Sequence, residues 1–319
     1  MIDVWLIAAM GMLLTGQCLA GGLKYSPEEG KYLKLGGRIQ LQYHYSDPDG
    51  GQTSDEIRFR RLRPYIEGSV HPDWKGKWQW DMGKGSVEIK DAYFTYKGFD
   101  AMTVTMGNVN FPFSREFLTS SKYQQLVERT FVGDHNYGTP DRQVGIHLAG
   151  DLADDTVAWN VSVTKAAVDP DNKKLDFDTA ASLNAGDDWS EGEMIGGRIE
   201  FFPMGPYDYK QGDMKGDTKL AVAVAGFTWD NDSDNLVTNR AADSKNDVDS
   251  VTGVEVSAAF RSSGLSVDAA YNSFDADLVD DGVTSGLYVD SSTTLENWAV
   301  EGGYIIVPSK MELVAGYQV

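Results

Sequence analysis

Ile57-Arg58-Phe59-Arg60-Arg61-Leu62-Arg63-Pro64-Tyr65-Ile66-Glu67-Gly68-Ser69-Val70 sets four arginines among apolar residues that alternate, but not in a single phase. Ile57 and Phe59 share one parity, whereas Leu62, Pro64, Ile66, Gly68 and Val70 share the other. Successive strand residues point to opposite faces, so an unbroken register would turn two of Arg58, Arg60, Arg61 and Arg63 to the apolar side. On a lipid-facing wall each such arginine costs about 2–4 kcal/mol near the midplane. One extra residue at Arg60-Arg61, a β-bulge, turns all four to the polar side, and bulges also tolerate Pro64. The stretch predicts a strand of a transmembrane antiparallel β-barrel with its cations inward.

The flanking sequence repeats the pattern. Leu35, Gly37, Ile39, Leu41, Tyr43 and Tyr45 alternate with Arg38, Gln40, Gln42 and His44, before the turn residues Asp47-Pro48-Asp49-Gly50-Gly51. Beyond it, Trp74, Gly76, Trp78, Trp80 and Met82 alternate with Lys75, Lys77, Gln79 and Asp81. A second phase slip between Ile89 and Ala92 turns Lys90 and Asp91 inward together. Further strands are predicted at 102–106, 144–148, 157–163, 195–201, 220–228, 254–260, 265–271, 298–304 and 311–319, thirteen in all. Connections at one end are short, as at 71–73, 262–264 and 308–310, and those at the other are long. That asymmetry marks outer-membrane barrels, whose strand number is even, so the expectation is an all-β chain lacking its last strands. Trp74, Trp78, Trp80, Trp159, Trp229 and Trp298 are expected in the aromatic girdle and wall.

The composition agrees. Of 319 residues 41% are hydrophobic, and the mean hydropathy of -0.35 suits strands in which only alternate residues meet lipid. Residues 1–20 read as a signal peptide, with an apolar stretch at 4–14 and the small-residue site Cys18-Leu19-Ala20, although Met1-Ile2-Asp3 lacks a basic residue. The barrel domain is then 21–319. Cys18 is the only cysteine, so the mature chain has no disulfide and no thiolate metal site. The formal net charge of -20 argues against nucleic acid as a partner. Segments 165–194, 230–250 and 273–296 together carry 20 acids against 5 bases, which reads as acidic outer loops. Asp230-Asn231-Asp232-Ser233-Asp234 opens like a calcium loop, but Asn235 and Ala241 stand where glycine and glutamate are required, so no metal is expected. His44, His71, His135 and His147 form no catalytic spacing with Ser114 or Ser120, so neither an enzyme nor a cofactor is expected.

The connection 110–142, about thirty residues between two short strands, is too long for a turn and too mixed in composition for disorder. Phe111, Phe113, Phe117, Leu118, Leu126 and Phe131 need a wall, while Arg115, Lys122, Arg129 and Arg142 need acids or water. A barrel interior offers both. The loop is expected to fold into the lumen and to form the narrowest point with Arg60, Arg61 and Arg63.

Arg60-Arg61-Leu62-Arg63 with Glu67-Gly68, Asp73-Trp74-Lys75, Lys90-Asp91-Ala92-Tyr93-Phe94, Met106-Gly107-Asn108, Pro112-Phe113, Ser120-Ser121, Glu128-Arg129 and Asp141-Arg142-Gln143-Val144-Gly145 occur in that order. Through them the first half of the mature chain resembles the phosphate-selective porin O and P family of Gram-negative outer membranes. The resemblance implies sixteen strands in the complete protein, a homotrimer in outer-membrane lipid and lipopolysaccharide, and a passive path for small anions such as phosphate. The candidate pore-lining residues are Arg58, Arg60, Arg61, Arg63, Lys75, Lys77, Arg115, Lys122, Arg129 and Arg142. A second reading of the strand bases pairs them with Glu56, Glu67, Glu88 and Asp91 as wall structure. The corresponding second function is a non-selective or structural barrel whose acidic loops bind divalent cations, lipopolysaccharide or a partner protein.

Overall fold

The computed structural model describes residues 23–46, 52–83, 85–171, 173–177, 191–232, 247–279, 283–308 and 310–319. The leader 1–20, the turn residues 47–51 and, within the acidic segments, 178–190, 233–246 and 280–282 lie outside the described residues. The chain divides into two units, Met1–Gly98 and Phe99–Val319.

The first unit is an antiparallel meander of β1 (Leu23–Glu28), β2 (Lys31–Ser46), β3 (Ser54–His71), β4 (Trp74–Asp81) and β5 (Glu88–Tyr96). Its decisive feature is the expected bulge. Gln40 pairs with Arg61 while the next residue, Leu41, pairs with Phe59, so Arg60 is the extra residue. The slip lets Ile57, Phe59, Ile66 and Val70 share an exposed apolar face while Arg61 is only 3% exposed. The second slip is present too: Gln79 pairs with Asp91 and Trp80 with Ile89, leaving Lys90 extra. Asp91 is buried and Ile89 exposed as a result.

In the second unit β6 (Thr103–Asn110), β7 (Arg142–Leu152), β8 (Val157–Ala167), β11 (Glu191–Phe201), β12 (Lys219–Asn231), β13 (Val248–Ser262), β14 (Leu265–Leu278), β15 (Ser292–Val307) and β16 (Met311–Gln318) each pair antiparallel with the next. Between β8 and β11, β9 (Asp169–Asp171) and β10 (Lys174–Asp176) make a separate small hairpin. The apolar parity is again outward: Val222, Val224, Val254, Val256, Trp298 and Val300 are exposed. The opposite parity is buried and carries Ala221, Ala223, Ala225, Phe227 and Trp229 on β12, Glu255 and Ser257 on β13, and Ala299 and Glu301 on β15.

Three expectations change. Fourteen principal strands stand among the described residues instead of thirteen. The extra one is β1, hidden in the sequence because Ser26-Pro27-Glu28-Glu29-Gly30 reads as a turn; Pro27 is tolerated where the register shifts between Tyr25 and Glu28. Strands also run past their alternating cores, so 102–106 becomes Thr103–Asn110 and 144–148 becomes Arg142–Leu152. The 110–142 connection is thereby closed at its base by the pair Asn110 and Arg142. Finally, Trp229 is not a girdle residue. It is fully buried, and its indole N–H donates to the Ala166 carbonyl at 3.0 Å.

Candidate functional site

The 110–142 connection and the buried face of β11 to β15 make one packed body. Phe111 and Phe113 are fully buried and set their ring edges against Phe227, at centroid distances of 6.0 and 5.1 Å. Phe177, Trp229, Phe274 and Tyr288 complete the apolar cluster, and Val283, Leu287 and Leu295 pack against it. Small residues make the approach possible. A Cβ on Gly196 would stand 2.8 Å from the Phe111 ring, and one on Gly138, where φ is +91°, would stand 2.7 Å from Phe274. Burial of aromatic rings at about 25 cal/mol per Å² is the force that draws the connection onto the wall.

The helical turn α1 (Arg115–Leu118) follows Phe113, its start capped by the Ser114 hydroxyl, which accepts from the Phe117 N–H at 3.3 Å. Arg115 leaves the turn toward the wall. Its Nη1 donates to Glu200 at 3.0 Å, its Nε lies 3.7 Å from Asp268, and its backbone N–H donates to Glu255 at 3.0 Å. Arg198 is the hub: Nη1 donates to Glu255 at 2.8 Å and to the Phe113 carbonyl at 2.5 Å, and Nη2 reaches Ser257 at 2.8 Å. Arg261 binds Asp268 at 2.6 Å. Charges with side chains this buried are tolerable only as a paired and hydrogen-bonded set.

The segment 202–218, which joins β11 to β12, folds in from one side. Tyr207 lies beneath two guanidinium groups, those of Arg115 at 4.8 Å and Arg261 at 5.2 Å, and the Tyr209 hydroxyl donates to Glu200. Burial pushes the Tyr207 phenol up to about 12, against the opposing pull of Arg261. Burial likewise raises Tyr209. Both remain neutral donors at any ordinary pH. Gln211 Nε2 donates to Glu301 at 2.6 Å. The small hairpin covers the far end of the connection: the Phe177 N–H donates to the His135 carbonyl at 3.2 Å, and His135 Nδ1 lies 2.5 Å from Asp176. His135 thus pairs with an acid, not with Ser114 or Ser120.

Of the ten bases expected to line a path, six lie on β3 and β4. Arg61 Nη1 donates to the amide oxygen of Gln40 at 2.9 Å, Arg63 binds Asp81 at 2.6 Å, and Lys77 binds Asp91 at 2.5 Å. Lys75 lies 3.6 Å from Glu67, and Arg58 pairs with Glu56 at 2.8 Å with both side chains about half exposed. Arg60 sits half-buried at the bulge. The other four belong to the 110–142 connection. Arg115 is in the buried network. Arg142 binds Asp141 at 3.1 Å, and Arg129 donates to the Phe117 carbonyl at 3.2 Å with its guanidinium over the Phe117 ring. Lys122 is exposed, its ammonium 4.6 Å from the Tyr123 ring centre, with no carboxylate partner among the described residues. The pairing reading therefore describes much of this set, including the expected partners Glu56, Glu67 and Asp91.

The residues that sequence reasoning missed are Arg198, Glu200, Glu255, Arg261, Asp268 and Glu301. Their signal was present: Arg198 and Glu200 flank Ile199, and Glu255 stands between Val254 and Val256, so each charge has inward parity. The inward path of Tyr207, Tyr209 and Gln211 had no such signal, because a connection carries no strand periodicity.

Comparison with known proteins agrees with this architecture. Porin O of Pseudomonas aeruginosa is 31% identical over 118 residues, 34% of this chain and 27% of that protein. An uncharacterized protein of Aquifex aeolicus is 26% identical over 265 residues, 72% of this chain and 59% of that protein. The chain thus spans less than two thirds of the length of either relative. Among solved structures, Salmonella typhi OmpF in complex with daunomycin superposes with a TM-score of 0.58 at 16% identity, over 93% of this chain and 80% of that one, which makes the fold a shared one. The family described as phosphate-selective porin O and P matches residues 33–305, and the chain belongs to it.

Proposed function

We propose that the protein is a passive outer-membrane pore for small anions of the phosphate type, narrowed by the 110–142 connection and working without catalysis. The observation that carries the anion preference is how charge is divided along the chain. Residues 21–98 hold 13 bases against 11 acids, whereas residues 99–319 hold 15 against 36. The two bulges keep the bases of β3 to β5 on the face away from the exposed apolar one, which supports reading the polar wall of the first unit as the more basic stretch. In a narrow and partly desolvated lumen a small excess of fixed charge acts more strongly than in bulk water. Screening over about 8 Å at physiological salt limits the reach of distant charges, and on this reading the acidic segments are outer loops that leave the preference to the wall. A homotrimer embedded in lipid and lipopolysaccharide suits the continuous apolar faces of the strands.

The second reading, a non-selective or structural barrel with cation-binding loops, is favoured by the pairing of Arg63, Lys77, Arg115 and Arg142 with carboxylates. Reversal potentials of the purified protein in planar bilayers under a salt gradient separate the two. Anion preference is expected, and Arg61→Gln with Arg58→Gln should move the potential toward cations. An unchanged potential in assembled variants would assign these arginines to the wall alone.

A further inference from the structure

Glu116, on the turn α1, and Glu301, on β15, line one small cavity together with Arg115, Thr119, Thr130, Val132, Gln211, Asp268, Ala269, Ala270 and Ala299. Its volume is about 20 Å³, room for one water. Glu301 is 3% exposed; one carboxylate oxygen accepts from Gln211, and the other has no hydrogen-bond partner among the described residues. Among the described residues the Glu116 carboxylate accepts hydrogen bonds from Thr130 alone, from its N–H at 2.8 Å and its hydroxyl at 2.5 Å. Gly133 gives its carboxylate room, since a Cβ there would stand 2.6 Å from Oε2.

Two ionised carboxylates facing a water-sized, buried space repel each other, and one proton relieves the repulsion. The charged groups around Glu116 are few. Arg115 and Arg129 belong to its own connection, Asp268 to β14 and Glu301 to β15, while the 202–218 segment offers the neutral Gln211. Arg115 is engaged by Glu200 and Asp268.

We propose that Glu116 and Glu301 form a proton-operated latch, in which one proton and one water across the cavity seat the 110–142 connection on β14 and β15. Loss of the proton to solvent base leaves two buried anions and loosens the seat. Burial, reinforced by the Glu301 charge, pushes Glu116 up to about 8 against the pull of Thr130 and Arg129, which puts the transition close to neutral pH. The latch rests on the reading of 110–142 as the narrow part of a pore, but its proton can be observed without any current.

The test titrates the whole protein from about pH 6 to about pH 10, a range that brackets the value of about 8. Infrared difference spectra should show one buried protonated carboxyl that disappears across that range and is missing in Glu116→Gln. Single-channel conductance should step once over the same range, not at all in Glu116→Gln, and about one pH unit lower in Glu301→Gln. A wild-type spectrum without that carboxyl overturns the latch, as does a conductance step that survives in Glu116→Gln. Absence of current from every form, with the infrared titration intact, overturns the pore and leaves the latch standing.

Discussion

Arg198 and Glu255, from β11 and β13, meet at 2.8 Å with both side chains fully buried, and the same guanidinium nitrogen donates to the carbonyl of Phe113. One ion pair thus fastens the start of the 110–142 connection to the wall. Removing one member orphans the other in a dry site. Arg198→Met should lower stability by about 3–5 kcal/mol, whereas Arg198→Met with Glu255→Leu should recover most of the loss. Denaturant unfolding of the refolded protein in detergent measures both, and equal losses in the single and double variants would show that an orphaned Glu255 is not the source of the loss.

Arg60 is the extra residue of the β2–β3 ladder, and bulging it keeps the parity of the residues on either side. Deleting Arg60 alone closes the bulge, leaves Phe59, Arg61 and Leu62 in unbroken alternation and should assemble normally. Deleting Arg60 and Arg61 together flips the parity and forces either Arg58 or Arg63 onto the apolar face, at about 2–4 kcal/mol near the midplane. The yield of folded protein in lipid vesicles distinguishes them; a double deletion that assembles like the parent would show strand parity to be dispensable here.

His135 and Asp176 tie the small hairpin to the connection, and their titrations run in opposite directions. Burial draws the His135 imidazole down, but the carboxylates of Asp176, Asp141 and Asp134 outweigh it, so its pKa is raised above 6.5. Burial draws Asp176 up, but His135 and Lys174 outweigh it, so its pKa is lowered from 3.8. A base with a raised folded pKa contributes fully below its unfolded value and loses that contribution as pH climbs through the folded one. An acid with a lowered folded pKa contributes above its unfolded value and loses it as pH falls through the folded one. The hairpin should therefore hold most firmly between about pH 4 and about pH 6.5. Protection factors for the amides of Gly138 and Phe177, which donate to Leu175 and His135, should peak in that window and become flat in His135→Asn. A pH-independent wild-type profile would remove the pair from the account.

What the sequence alone determined is the face of each strand residue and the sites of the phase slips. Ile57 and Phe59 against Leu62 and Ile66 required a bulge at Arg60-Arg61, because strand parity has period two and a misplaced arginine in lipid costs more than a local irregularity. The same parity held the signal for Arg198 and Glu255. It also showed that 110–142 needs a wall, since Phe111, Phe113 and Phe117 could not stay in water. Parity is a property of neighbours along the chain, and it can be read there.

Tertiary structure alone decided the partners. Phe113 reaches Phe227 and Arg198, Arg115 reaches Glu200 and Asp268, and Glu116 reaches the cavity of Glu301. Tyr207 and Tyr209 arrive through a connection that carries no periodicity, and β1 escaped notice behind Pro27. These contacts join residues far apart in the chain through packing volume and charge compensation, quantities that exist only once the strands have brought their inner faces together.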